Sequence, residues 1–255
     1  MVKPTFLCIG VQKSGTTSLI NYLSQHPDIF MKKNELRFFD NPKRKLTESD
    51  IIKYENEFET EKLIVGEKSP SYNYLQFAMN RIYNYNPNIK LILILREPIS
   101  RAFSQYNMNL ANKNKTLNDV NDQQMIREFE EEENIKLSEL KSDGYYYIIR
   151  GKYDEIISFI LSKFSRKNLY IGIAEEIKAD KQKYYNDIIS FLGAEKLNKI
   201  NENSDTHIRK YDKSIPNILA KKLYHIYKPH NERLYKILGR KIDIWENYYD
   251  ELKIL

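Results

Sequence analysis

The residues best equipped for chemistry form the stretch Gly10-Val-Gln-Lys13-Ser14-Gly15-Thr16-Thr17. Small residues let backbone N–H groups converge on an anion, and Lys13 adds a full positive charge. Such a loop works only where a strand hands over to a helix, because the helix N-terminus contributes a favourable dipole. The flanks fit. Thr5–Gly10 is an apolar, β-prone run that ends at a glycine, and Thr17–Gln25 places Leu19, Ile20 and Leu23 at helical spacing. Pro27 then stops the helix, since proline disfavours a helical conformation in the residue before it. The arrangement is that of a phosphate-binding loop.

The elements that must position this loop read as alternating strands and helices. Leu63–Glu67 is strand-like, and Lys90-Leu-Ile-Leu-Ile-Leu-Arg96 has the five consecutive apolar residues of a central parallel strand covered on both faces. Arg96 stands at its exit, and a helix is expected from Pro98 to about Leu110. Met31–Asp40, with Lys32, Lys33, Glu35 and Arg37 beside Phe38-Phe39, suggests a partly buried edge. Residues 112–134 are polar and are expected to be a solvated helix or loop. Tyr153–Phe164 and Lys181–Leu192 read as helices, Asn168–Ile173 as a strand, and Ile218–Leu238 as a long helix broken near Pro229. The expected fold is α/β, a P-loop-like three-layer arrangement with a central parallel sheet flanked by helices, in one domain over residues 1–255.

Composition narrows the class. With 8 Gly and 8 Pro in 255 residues and 41% hydrophobic residues, the chain is neither collagen-like nor disordered. Cys8 is the single cysteine, so no intrachain disulfide can form and no oxidising compartment is needed. No stretch approaches the roughly 20 apolar residues of a membrane span, so no anchor, no export signal and a cytoplasmic setting are expected. The net charge of +6 suits a polyanion, a nucleic acid or a phosphate-bearing cofactor without choosing among them. Gly10 and Gly15 share the spacing of the nucleoside-triphosphatase loop. That loop requires Lys-Ser/Thr directly after its second glycine, where this chain has Thr16-Thr17.

Lys13-Ser-Gly-Thr-Thr17 instead resembles the 5′-phosphosulfate loop of sulfotransferases that use 3′-phosphoadenosine 5′-phosphosulfate (PAPS). Leu95-Arg96-Glu-Pro-Ile-Ser-Arg-Ala-Phe-Ser104-Gln-Tyr106 is similar to that family's 3′-phosphate motif. A guanidinium gives bidentate contacts to phosphate oxygens, which agrees with the match. Within the superfamily, His26–Asp40, Glu67-Lys68-Ser-Pro70 and Pro229–Gly239 look most like heparan sulfate glucosaminyl sulfotransferases and their bacterial relatives. The resemblance implies PAPS as donor, 3′,5′-adenosine bisphosphate (PAP) as product and no metal. It implies cofactor contacts from Lys13, Ser14, Gly15, Thr16, Thr17, Ser18, Arg96 and Ser104, and from Arg209 and Lys210 in a late loop. It makes Glu35 the general base, with Lys13 and Lys68 as active-site cations. A carboxylate set among Lys32, Lys33, Arg37 and two phenylalanines suits that role. The disulfide and Golgi anchor usual in the heparan-type enzymes are absent from this sequence.

The acceptor class is a small molecule or a carbohydrate, attacked through a hydroxyl in preference to a nitrogen, with neither nucleic acid nor membrane as partner. Oligomeric state is not legible. His26, His225, His230 and His207 read as structural or surface residues. Two other functions remain open. One is a P-loop small-molecule kinase, for which Glu67 is the available magnesium carboxylate; the other is a non-enzymatic polyanion-binding module.

Overall fold

The computed structural model describes residues 2–201 and 213–252. In chain order the elements are β1 (Phe6–Gly10), α1 (Thr16–Leu23), β2 (Ile29–Met31), α2 (Glu48–Glu55), β3 (Ile64–Lys68), α3 (Gln76–Tyr85), β4 (Lys90–Leu95), α4 (Pro98–Asn112), α5 (Asp122–Glu130), α6 (Tyr153–Leu161), β5 (Leu169–Ile173), α7 (Ala174–Ala179), α8 (Lys181–Leu192), α9 (Asn217–Leu238) and α10 (Asp243–Glu251). Packing divides the chain into two compact units, residues 1–95 with 160–208 and residues 96–159 with 209–255.

The first unit holds a five-stranded sheet in the order β2-β3-β1-β4-β5, with every pair parallel. Phe6 and Cys8 of β1 and Ile92 and Ile94 of β4 pack with Leu19, Ile20 and Leu23 of α1 and Ile188, Ile189 and Leu192 of α8. The intervening residues Leu7, Ile9, Leu91, Leu93 and Leu95 are buried as well, so both faces of these strands are covered. That is why β4 reads as an uninterrupted apolar run. It lies one place from the edge strand β5, and β1 is the middle strand. The short edge strand β2 escapes sequence reading because three residues carry no periodicity. Helix α2 did carry a signal: Thr47 accepts from the Asp50 N–H while Asp50 accepts from the Thr47 N–H, a capping box.

The second unit is helical and corrects two sequence expectations. The polar stretch before Asn134 contains α5, whose Met125 and Phe129 are buried. Phe129 stacks on Tyr147 with ring centroids 4.9 Å apart, so only one face of the segment is solvated. Helix α9 runs unbroken through Pro229. A proline deprives one carbonyl four residues earlier of its donor. Here that carbonyl belongs to exposed His225, where water can take the hydrogen bond. Leu223, Tyr224, Tyr227, Asn231, Leu234 and Tyr235 bury the opposite side and hold the helix together.

Phe129→Ala is expected to destabilise the protein by about 3–5 kcal/mol, and Glu131→Ala by no more than about 0.5 kcal/mol. Denaturant melts of the two variants check this; equal effects would mean that α5 is not docked.

Candidate functional site

The anion loop begins where β1 ends. Gly10 has φ 140°, and a Cβ there would stand 2.2 Å from Asn73 Nδ2 and 2.9 Å from the Pro70 carbonyl, so only glycine fits. The Asn73 amide donates to the Ile9 carbonyl at 2.9 Å and to the Pro70 carbonyl at 2.7 Å, closing the strand end. Val11 N–H donates to the Ile94 carbonyl at 2.9 Å. Ser14 Oγ donates to the Val11 carbonyl at 2.6 Å, so this hydroxyl proton staples the loop and is not offered to a ligand. Lys13 and Gly15 both adopt left-handed backbone, φ 78° and 84°. Such residues turn successive N–H groups to one concave side, as in an anion nest. No side chain caps α1. Its first-turn N–H groups and its dipole are therefore available to an anion.

The end of β3 brings a cation and a carboxylate to this loop. Lys68 Nζ lies 2.8 Å from Glu35 Oε1 and donates to Thr17 Oγ1 at 3.4 Å. The Lys68 side chain is only 8% exposed, and a buried ammonium requires such partners. Glu35 is 42% exposed, which leaves its carboxylate reachable by a second molecule. The charges beside Glu35 in sequence are engaged elsewhere: Lys32 pairs with Glu57 at 2.8 Å and Arg37 with Asp40 at 3.0 Å. The cation that organises the candidate base therefore comes from β3, 33 positions on. Of the sequence-predicted residues, Glu35, Lys68 and Thr17 are in contact. Lys13, Ser14, Gly15, Thr16 and Ser18 form the loop and the first turn of α1.

In the second unit, Arg96 stands two residues before the start of α4 and is half-buried, and its carbonyl accepts from Tyr153 Oη at 2.7 Å. Ser104 lies two turns into α4 and is buried. Sequence reasoning missed Glu97, whose side chain caps α4 by accepting from Ile99 N at 2.8 Å and Ser100 N at 2.6 Å. Tyr249 Oη also donates to it, at 3.0 Å. Burial raises the Glu97 carboxyl above the usual range, against these lowering hydrogen bonds. The Glu-Pro pair at a helix start was the available signal. Arg209, Lys210 and His207 lie outside the described residues.

Glu67, the magnesium carboxylate of the kinase reading, is fully buried and accepts from Tyr72 Oη at 2.9 Å, Ser69 Oγ at 2.9 Å and Tyr54 Oη at 3.2 Å. Among the described residues no group of three or more His, Cys, Asp or Glu side chains is placed to hold a metal ion. None of the described helices is long and apolar enough to cross a membrane. His26 is buried, with Nδ1 accepting from Asp28 N at 3.1 Å and Nε2 2.8 Å from the Glu195 carbonyl, a structural tautomer. His230 Nδ1 lies 2.8 Å from Asp154.

A family profile described as a sulfotransferase domain matches residues 3–222. The chain belongs to the sulfotransferase family. Over 112 residues, 44% of this chain, it is 36% identical to heparan sulfate glucosamine 3-O-sulfotransferase 5 of Mus musculus, covering 32% of that protein. Over 110 residues, 42% of this chain, it is 37% identical to the membrane-associated sulfotransferase kil1 of Dictyostelium discoideum, covering 23% of that protein. The chain thus spans a third or less of these curated relatives. A sulfotransferase from Alicyclobacillus acidocaldarius superposes with a TM-score of 0.76 at 24% identity, over 96% of this chain and 100% of that one, and shares the fold.

The matched residues include both the Gly10–Thr17 loop and the Glu35 loop. Beside that loop lies a cleft of about 150 Å³ lined by Leu36, Phe38, Arg44, Lys53, Tyr54 and Glu57, among others. This is below the roughly 300 Å³ of a complete small-ligand pocket, room for one ring of a larger molecule.

Gly10→Ala is expected to cost at least about 2 kcal/mol of stability, because the new Cβ collides with Asn73 and the φ is strained. A thermal melt tests it; a midpoint equal to that of the unaltered protein would show that the loop entry is pliable.

Proposed function

We propose that this protein transfers a sulfuryl group from PAPS to an acceptor hydroxyl of a small metabolite or a glycan, with Glu35 as general base. The observation that carries the reading is the Lys68 ammonium held between the Glu35 carboxylate and the Thr17 hydroxyl of the anion loop. A base and an anion site joined through one cation suit attack by a deprotonating hydroxyl on an anionic donor. The relatives named glucosamine 3-O-sulfotransferases support a sugar hydroxyl over a nitrogen.

In the reaction, the acceptor oxygen bonds to sulfur as Glu35 takes its proton, and the bond from sulfur to the 5′-phosphate oxygen breaks to leave PAP. Lys13 and the N–H groups of the loop neutralise the charge that grows on that phosphate, an electrostatic contribution worth about 10²–10³ in rate for one donor. Lys68 orients the Glu35 carboxylate through a charge-assisted hydrogen bond and ties it to Thr17. Arg96 and Ser104 are the assigned contacts of the 3′-phosphate.

Calorimetric titration should show PAP binding in preference to 5′-AMP and to magnesium ATP, without added metal; preference for magnesium ATP would replace the transferase with a kinase. Glu35→Gln is expected to keep PAP affinity within about threefold and to lower turnover by about 10²–10⁴. Near-normal turnover would remove Glu35 from the role. Arg96→Ala should weaken PAP by about tenfold or more and leave adenosine 5′-phosphosulfate, which lacks the 3′-phosphate, little affected. Equal loss for both ligands would mean that Arg96 acts through folding.

A further inference from the structure

The loop that carries Glu35 has no regular structure, yet its backbone N–H groups converge on one buried carboxylate. Arg37 N–H donates at 3.1 Å to Ser69 Oγ, which donates onward to Glu67 Oε2 at 2.9 Å. Phe38 N–H donates at 2.8 Å to Tyr72 Oη, which donates onward to Glu67 Oε1 at 2.9 Å. Each hydroxyl has one proton. Ser69 and Tyr72 can accept from the loop because they spend that proton on an acceptor-only group.

We propose that Glu67 is a positioning residue for sulfuryl transfer: as a carboxylate it sets the direction of the hydrogen bonds that hold the Arg37 and Phe38 N–H groups, and so holds Glu35 against Lys68. The inference rests on Glu35 being the base. An amide in place of the carboxylate carries two hydrogens on one nitrogen, so whichever oxygen site that nitrogen occupies it points a hydrogen at Ser69 Oγ or at Tyr72 Oη. That hydroxyl's own proton then opposes a loop N–H.

The site is arranged at a cost to stability. Burial raises the Glu67 carboxyl from 4.5 to about 7, against the lowering effect of its hydrogen bonds. The folded protein therefore holds a proton between about pH 4.5 and 7 that the unfolded chain has lost. Its stability falls as pH rises through that window. The titratable groups packed on Glu67 are Tyr54 from α2, Tyr72 from the turn after β3 and Cys8 from β1, all kept neutral by burial, with Cys8 pushed up to about 12. The charged neighbours are Lys68, next on β3, and its partner Glu35.

The test is amide hydrogen exchange at pH 8 on the full chain and on Glu67→Gln, with turnover and PAP affinity measured in parallel. Protection of Arg37 and Phe38 should fall about tenfold or more in the variant, with α8 amides unchanged. The melting midpoint should be no lower than that of the unaltered protein, PAP affinity within about threefold, and turnover at least about tenfold down. Unchanged loop protection overturns the proposal whatever turnover does. Lost protection with full turnover leaves the positioning intact and removes Glu35 as the base. Should Glu67→Gln fail to fold, Tyr72→Phe decides, because it deletes only the hydroxyl that accepts from Phe38; full protection at Phe38 there overturns the proposal.

Discussion

A lysine ammonium at the end of a parallel strand has to be neutralised where little water reaches it, and the Lys68 contact to Glu35 does this at 2.8 Å. The geometry of the first unit can be followed outward from that contact. Register places Lys68 of β3 opposite Cys8 of β1, two residues before the glycine at which β1 becomes the anion loop. The Glu35 loop must return over the same strand end, and β2 delivers it there. Met31 pairs with Gly66, and Lys32 N–H donates to the Gly66 carbonyl at 2.9 Å before the chain leaves the sheet. Three neighbouring strands therefore set the distance between an anion site and a carboxylate, which a loop alone would not fix.

The tyrosines do much of the remaining work, and they do it from inside. Phe38 and Phe39, which follow the Glu35 loop, are buried against Tyr54, Tyr72 and Tyr85. Two of those tyrosines also direct their hydroxyls to Glu67. Tyr249 does the same for Glu97 in the second unit. Each buried carboxylate organises N–H groups of a neighbouring segment, Arg37 and Phe38 through Ser69 and Tyr72, and Ile99 and Ser100 directly. A ring that fills core volume while its hydroxyl reaches a charge serves both needs. The aromatic content is thus structural in location, and its hydroxyls serve the buried carboxylates.

The parts of this arrangement that were legible in the sequence are those governed by local rules. Thr5–Gly10 had to be a strand, and Lys13–Thr17 had to be a small-residue turn into a helix. The apolar run ending at Leu95 could only be buried on both faces. What was not legible depended on partners distant in sequence. Lys32, Lys33 and Arg37 stand nearest Glu35 in the chain, yet it is Lys68 of β3 that pairs with it, while Lys32 pairs with Glu57 and Arg37 with Asp40. Pro229 looked like a break because local preference counts the lost hydrogen bond, whereas the structure counts the buried side of the helix as well. Residues 112–134 looked solvated because four buried side chains, Leu117, Val120, Met125 and Phe129, are few among many charges.

Lys13 and Arg37 share a further property that bears on what the site is for. Both are residues with a Cβ held in left-handed backbone, at a cost of roughly 1–2 kcal/mol each. Glycine would relieve either position, as it does at Gly15. Lys13 cannot be replaced in this way without losing a cation from the anion loop. Arg37 brings its N–H to Ser69 and its guanidinium to Asp40. Above about pH 7 an ionised Glu67 on β3 and the two strained side-chain-bearing residues in the neighbouring loops all oppose stability. Strain of this kind persists only where the surrounding contacts over-determine it. Here the surrounding contacts are the parallel sheet and the aromatic floor, whose burial offsets the cost and lets the loops keep a geometry suited to chemistry.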